Sequence, residues 1–400
     1  LVRALALTTS LLAASPDATA AESPTLREAF RDHFPVGTAI NRNIATGTSG
    51  RRSQDLVNSD QALTRAQFNQ ITAENDMKWQ LIHPREGQEG YDFGPADAFV
   101  AFGRSNRMEI VGHTLVWHSQ TPNWVFAGTN PAPVVAPPPT VDGATTNAAA
   151  TNRAGRRPFG PGFGRYDGPR ASRDELLQRM RDHIHTVVGR YKGQVKVWDV
   201  VNEAIADGNG TNVLRNSLWL EIIGPDYLAK AFQYAHEADP DAILRYNDYG
   251  LENPVKRGKL VALIRSLREQ GVPIHAIGSQ AHLNVSTSFE AMDQALAEMK
   301  TLGLPIHITE LDINSAQGGQ RTTGADVAAN AATTQGGLVS DADRKLADAY
   351  AGVFHAFLKH RDAVKMVTFW GVNDAVSWRA NGQPLLFDGN NQPKPAFDAV

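Results

Sequence analysis

The stretch at 195–204, VKVWDVVNEA, limits the fold more than any other part of the chain. Val195, Val197, Trp198, Val200 and Val201 leave it no polar face, so a strand here is covered on both sides, as in a parallel sheet wrapped by helices. At its end stands Glu203. An ionised carboxylate is costly to bury unless it is paired or hydrogen-bonded, and burial favours the protonated form, which suits a general acid near neutral pH. The same position would serve a carboxylate that caps the next turn or pairs with an arginine. This stretch alone does not choose between them.

A second stretch, 305–313 (PIHITELDI), is another short β-branched strand that ends in acid. Glu310 and Asp312 are two residues apart and so share one face. Two glutamates at the ends of different strands are what retaining glycoside hydrolysis needs, one as acid/base and one as nucleophile, about 5–5.5 Å apart.

The remaining chain alternates strand-like and helix-like segments. Strands are expected at 34–41, 70–79, 109–118, near 195, 243–249, 276–283, 305–313 and 364–370, with helices such as 96–106, 257–270 and 343–359 between them. About eight such units predict an α/β fold, a single (β/α)₈ TIM barrel over 25–400, with long loops after strands 3 and 7. A chain of 400 residues with 42% hydrophobic content supports one core of that size.

Polar and aromatic residues gather where these strands end: Glu74, Asn75 and Lys78; His113, Trp117 and His118; Asn202 and Glu203; Asn247 and Asp248; Gln280 and His282; Glu310 and Asp312; Trp370, Asn373 and Asp374. In a barrel these ends share one mouth, where active sites of the fold are built. Trp117, Trp370 and Trp378 can stack on pyranose rings, while amides, Lys and His can bond hydroxyls. Packing inside the barrel is the competing use for each tryptophan.

Other chemistries find little support. The chain has no cysteine, which removes disulfides, thiol catalysis and thiolate metal sites. A net charge of −3 suggests neither nucleic acid nor an anionic membrane as partner. His113, His118 and His282 lack the spacing of a metal site, and there is no G-x-S-x-G, P-loop or G-x-G-x-x-G after a strand. No metal or cofactor is expected.

The runs AENDMKW at 73–79, GHTLVWHSQTPNW at 112–124, WDVVNEA at 198–204, YNDY at 246–249, GSQAHL at 278–283, ITELDI at 308–313 and FWGVNDAVSW at 369–378 resemble the signatures of glycoside hydrolase family ten, the endo-β-1,4-xylanases. The resemblance implies that Glu203 is the acid/base and Glu310 the nucleophile. Asn202 would bond the sugar 2-hydroxyl, and His282, held by Asp312, would bond Glu310. Lys78, His113, Gln280 and Trp370 would line the subsite of the attacked sugar, and Trp117 is a further substrate-binding candidate. Glu74 and Asn75 would reach the next sugar, with Trp378 closing over it where glucose would carry a hydroxymethyl group. The expected partners are xylan and xylo-oligosaccharides. A barrel hydrolase of altered specificity and a catalytically dead glycan-binding protein are the alternatives; the second needs the loss of residues that are all present here.

Two segments depart from that pattern. Residues 127–171 are rich in Ala, Pro and Gly and read as a flexible insertion, entering a helix whose start is marked by Ser172 and Glu175. It is either inert or a source of arginines (Arg153, Arg156, Arg157, Arg165, Arg170) for acidic side groups of decorated xylan. Residues 314–340 read as a second mobile loop. At the other end, Arg3, the apolar run 4–12 and Ala18-Thr19-Ala20 read as most of a signal peptide cleaved near residue 20, with its start missing. A secreted monomer without an appended carbohydrate-binding module is expected.

Overall fold

A computed structural model describes residues 23–130, 166–315 and 340–400. The segment 1–20 and most of 127–171 and 314–340 lie outside these. Eight strands form the barrel: β1 (Val36–Ile40), β2 (Gln70–Ala73), β3 (Glu109–Trp117), β4 (Val197–Asn202), β5 (Ile243–Asp248), β6 (Ala276–Ser279), β7 (Ile306–Asn314) and β8 (Val364–Phe369). Each pairs in parallel with the next, and β8 pairs with both β7 and β1, so the sheet closes. Between them run α1 (Gln54–Gln67), α2 (Gly94–Ser105), α3 (Arg173–Arg190), α4 (Tyr227–Ala238), α5 (Pro254–Glu269), α6 (Phe289–Lys300) and α7 (Asp341–Lys359). This is the expected (β/α)₈ barrel. Among the described residues no helix is long and apolar enough to cross a membrane.

Strand alternation divides the core in two. On β4 every residue is buried, as its sequence requires. Trp198 and Val200 belong to the large apolar layer between sheet and helices, whereas Val197 joins Val111 and Met366 in a small cluster of its own. The close approach of β3 to β4 needs Gly112, where a Cβ would lie 2.3 Å from the Trp198 ring. The cap before α3 is also as expected, with Ser172 and Glu175 forming a reciprocal capping box.

Several boundaries differ from the sequence reading. The second strand stops at Ala73 rather than 79: Glu74 to Lys78 form a turn, and Trp79 begins a short helix, Trp79–Ile82. The sixth stops at Ser279, because Ala281 takes φ +56° and breaks the extended run. His282–Asn284 then pairs separately with Asp312–Asn314. The ends of the two long loops are ordered. Ala127–Asn130 is a strand, and Ala127 bridges Arg170 in antiparallel fashion; Asn314 is the buried last residue of β7, and Ser340 caps α7.

Candidate active site

Every predicted site residue except Trp378 lies between the middle of a strand and the segment just after it, and their hydrogen bonds join most of them into one network. Glu203 follows β4 with φ +57°, a backbone region costly for a residue with a Cβ. Its N–H donates to Asn247 O at 2.8 Å, and its carbonyl accepts from Arg215 Nε at 3.0 Å. These anchors hold the unusual turn and leave the carboxyl group facing inward, 7% exposed. Trp117 Nε1 donates to Oε2 at 2.8 Å and Gln280 Nε2 to Oε1 at 3.0 Å. Both donors are neutral. Trp117 therefore orients Glu203 in addition to lining the cleft, a task its sequence position did not reveal.

Glu310 is treated differently. Its Oε2 lies 3.2 Å from His282 Nε2, and His282 Nδ1 lies 3.0 Å from Asp312 Oδ1. An imidazole between two carboxylates keeps a proton on each nitrogen. Burial alone would drive His282 neutral, but Asp312 and Glu310 raise it to about 9. Burial also pushes Glu310 upward, yet the His282 hydrogen bond and the fields of His113 and His282 hold it below the ordinary carboxylate value of 4.5. Asp312 is likewise held low against its burial by His282, Arg379 and Trp378. Glu310 is thus fixed as a carboxylate.

One amide, Asn247 on β5, links the two halves. Its Nδ2 donates to Glu310 Oε1 at 2.8 Å and to Asn202 Oδ1 at 2.9 Å, while its Oδ1 accepts from Thr309 Oγ1 at 2.7 Å. Gln280 Nε2 reaches the same Asn202 Oδ1 at 3.2 Å. With Oδ1 doubly occupied, Asn202 keeps its amide N–H groups for a ligand. Sequence reasoning placed Asn247 at the mouth but assigned it no role; the only signal was its position at a strand end.

The floor is built on charge. Asp199, between Trp198 and Val200, accepts from His113 Nδ1 at 2.9 Å and from Arg245 Nε and Nη2 at 2.7 and 3.0 Å. Burial opposes its charge, but Arg245 and His113 lower it to about 2. Arg245 Nη1 donates to His307 Nδ1 at 3.1 Å. Neither Arg245 nor His307 was anticipated, because in sequence each sits inside an apolar strand.

Lys78, Glu74 and Asn75 form a second wall. Lys78 Nζ donates to Asn75 Oδ1 at 3.0 Å and lies 5.0 Å from the Trp117 ring centre. Burial lowers Lys78, against the pull of Glu310, Glu74 and Glu203, and burial raises Glu74. Trp370 stands edge-on to His113 and His282, and Trp378, 38% exposed, donates Nε1 to Asp312 Oδ2 at 2.8 Å.

Other residues read at the strand ends serve the scaffold. Asn373 bonds Asp60 and Asn391, Asp374 pairs with Lys394, and Asp248 pairs with Lys256 and Tyr246. Arg153, Arg156, Arg157 and Arg165 lie outside the described residues. Arg170 lies 3.7 Å from Glu221 with 13% of its side chain exposed. Among the described residues no group of acidic and histidine side chains is arranged to hold a metal ion.

Carboxyl groups divided in this way, one pinned as an anion and one met by neutral donors, at the mouth of a (β/α)₈ barrel suit the cleavage of an acetal, the chemistry of glycoside hydrolases. The glycosyl hydrolase family 10 model matches residues 25–137 and 161–400, and the chain belongs to that family. The unmatched interval lies inside the Pro- and Gly-rich segment. A β-1,4-xylanase of Dictyoglomus thermophilum is 36% identical over 98% of this chain and 94% of its own, and an endo-1,4-β-xylanase of Geobacillus stearothermophilus is 37% identical over 94% and 97%. Among solved structures, xylanase XynB from Paenibacillus barcinonensis superposes with a TM-score of 0.73 at 34% identity, covering 95% of this chain and 99% of that one. A mutant of an intracellular xylanase from Thermoanaerobacterium saccharolyticum, in complex with xylotetraose, superposes with a TM-score of 0.73 at 35% identity, covering 95% and 98%.

Proposed function

We propose that the protein is a retaining endo-β-1,4-xylanase that hydrolyses internal bonds of xylan by double displacement. The observation that carries this reading is the unequal treatment of two buried carboxyl groups: Glu310 bonded by an imidazolium, Glu203 only by neutral donors. Protonated Glu203 donates to the glycosidic oxygen while Glu310 attacks the anomeric carbon, giving a covalent glycosyl-enzyme. Esterification removes the Glu310 charge, and Glu203, now a carboxylate no longer facing that anion, takes a proton from the water that releases the sugar.

The remaining roles follow the network. Asn202 offers its free N–H groups to the 2-hydroxyl of the attacked sugar. Lys78, His113, Gln280 and Trp370 bind around that ring, Glu74 and Asn75 bind the next, and Trp378 covers it against a hydroxymethyl substituent. Names of relatives with known substrates support xylan as the polymer. Secretion rests on residues 1–20 alone; N-terminal sequencing of the protein recovered outside its host would decide it, with an uncleaved start counting against. The protein is read as a monomer, which light scattering tests.

The principal experiment follows oligosaccharides released from unbranched β-1,4-xylan by the wild type and by Glu310→Ala. Short xylo-oligomers from the wild type alone are expected. With an aryl xylobioside of good leaving ability, Glu203→Ala is expected to retain the first step and Glu310→Ala to lose it. Equal loss in both would overturn the assignment of roles.

A further inference from the structure

Asp312 is fully buried and has three hydrogen-bonding or charged neighbours. Its Oδ2 is taken by Trp378 Nε1 at 2.8 Å, and its Oδ1 is shared by His282 Nδ1 at 3.0 Å and Arg379 Nη1 at 2.8 Å. Arg379 Nη1 also donates to Leu283 O at 3.1 Å, the carbonyl next to His282. Its guanidinium stands 4.9 Å from the Trp378 ring centre, and only 3% of its side chain is exposed. A buried arginine that spends one nitrogen on both Asp312 and the neighbour of His282 is more than a surface cation that happens to be near.

We propose that Arg379 is a positioning residue for Glu310, acting through Asp312 and His282. A buried imidazolium and carboxylate alone can neutralise each other by passing the Nδ1 proton to Oδ1, since burial penalises both charges. The pair would then be uncharged and Glu310 would lose the cation beside it. Arginine does not give up its proton at accessible pH, so its presence keeps Asp312 an anion and the proton on His282 Nδ1. Trp378, the next residue in sequence, bonds the same carboxylate, so the cover of the sugar site and the support of Glu310 are two ends of one short segment.

The charged and titratable groups around this chain come from most of the barrel. Glu310 faces His113, Lys78 and Asp199 as well as His282. Asp312 faces Tyr350 on α7, and Glu252, after β5, faces His282 and Arg379. Removing one permanent cation from this set raises the proton affinity of the Glu310–His282–Asp312 group as a whole, so its first protonation on acidification comes at higher pH.

The proposal rests on the reading of Glu310 as nucleophile. The test is the pH dependence of kcat/KM on an aryl xylobioside, whose leaving group makes the first step independent of acid assistance. In Arg379→Met the acidic limb is expected to rise by about half to one pH unit, with Arg379→Lys close to the wild type. Arg379→Gln, which keeps donors but no charge, is the second variant should Arg379→Met not fold, and the same rise is expected. A limb that stays in place in the neutral variants overturns the proposal, whatever their rates, since loosened packing lowers the rate without moving the limb. If Glu310→Ala turns over this substrate, the nucleophile reading itself fails, and that result is distinct from an unmoved limb in an enzyme that still requires Glu310.

Discussion

Asn247 donates its amide to Glu310 Oε1 over 2.8 Å, from a strand 63 residues earlier in the chain. Because the same nitrogen serves Asn202 Oδ1, the nucleophile candidate and the residue beside Glu203 cannot shift independently. Asn247→Ala is therefore expected to lower kcat/KM by about 10- to 100-fold, the loss of a hydrogen bond to a charged group. Steady-state rates on an aryl xylobioside check this; a change under twofold would deny Asn247 a role.

The wild-type acidic limb follows from the direction in which Glu310 is shifted. His282 and His113 hold it below 4.5, so the ionised form persists to lower pH than in a free glutamate. The acidic limb of kcat/KM on an activated substrate is expected below pH 4.5. A limb near 6 would mean that burial, not the imidazolium, governs the group.

Arg245 and Asp199 form a buried bidentate pair. Arg245→Met leaves Asp199 uncompensated and should cost about 3–5 kcal/mol of stability, read as a shift in the denaturant midpoint. The double variant Arg245→Met/Asp199→Leu removes both charges and should recover much of that loss. It should not recover activity, because His113 then lacks the acceptor that fixes Nδ1. Full activity in the double variant would contradict this.

Acid stability has two components of the same sign. Burial and Arg215 lower His118 to about 3, and burial and Arg245 lower His307 to about 3, both from 6.5. The unfolded chain binds these protons first, so the contribution of these two histidines is full above about pH 6.5 and falls as pH drops toward 3. Asp199, lowered from 3.8 to about 2, adds a loss between those values. Urea midpoints from pH 7 to 4 should decline, and His118→Leu should flatten the decline. An equal slope in that variant would remove His118 from the account.

Trp378 is the exposed edge of the candidate site. Trp378→Ala is expected to raise the kcat/KM ratio of aryl cellobioside to aryl xylobioside by about tenfold, through relief of the clash with a hydroxymethyl group. An unchanged ratio would place the discrimination elsewhere.

The sequence alone determined the barrel, the order of its strands and the placing of Glu203 and Glu310 on two of them, because apolar runs closed by acids are local signals and the motifs around 74, 113, 203, 282 and 310 are contiguous. It also set the cap at Ser172, which depends on residues three apart. Tertiary structure decided which group holds which. Asn247, Thr309, Arg245, His307 and Arg379 meet partners 45 to 67 residues away or more. Strand alternation says that such a residue faces inward, but barrel closure and register choose the neighbour. Sequence could not foresee that Trp117 would bond Glu203, or that Asn373 and Asp374 would serve the scaffold, because a hydrogen bond requires atoms within about 3 Å in a set direction. That precision arises only when all eight strands are in place.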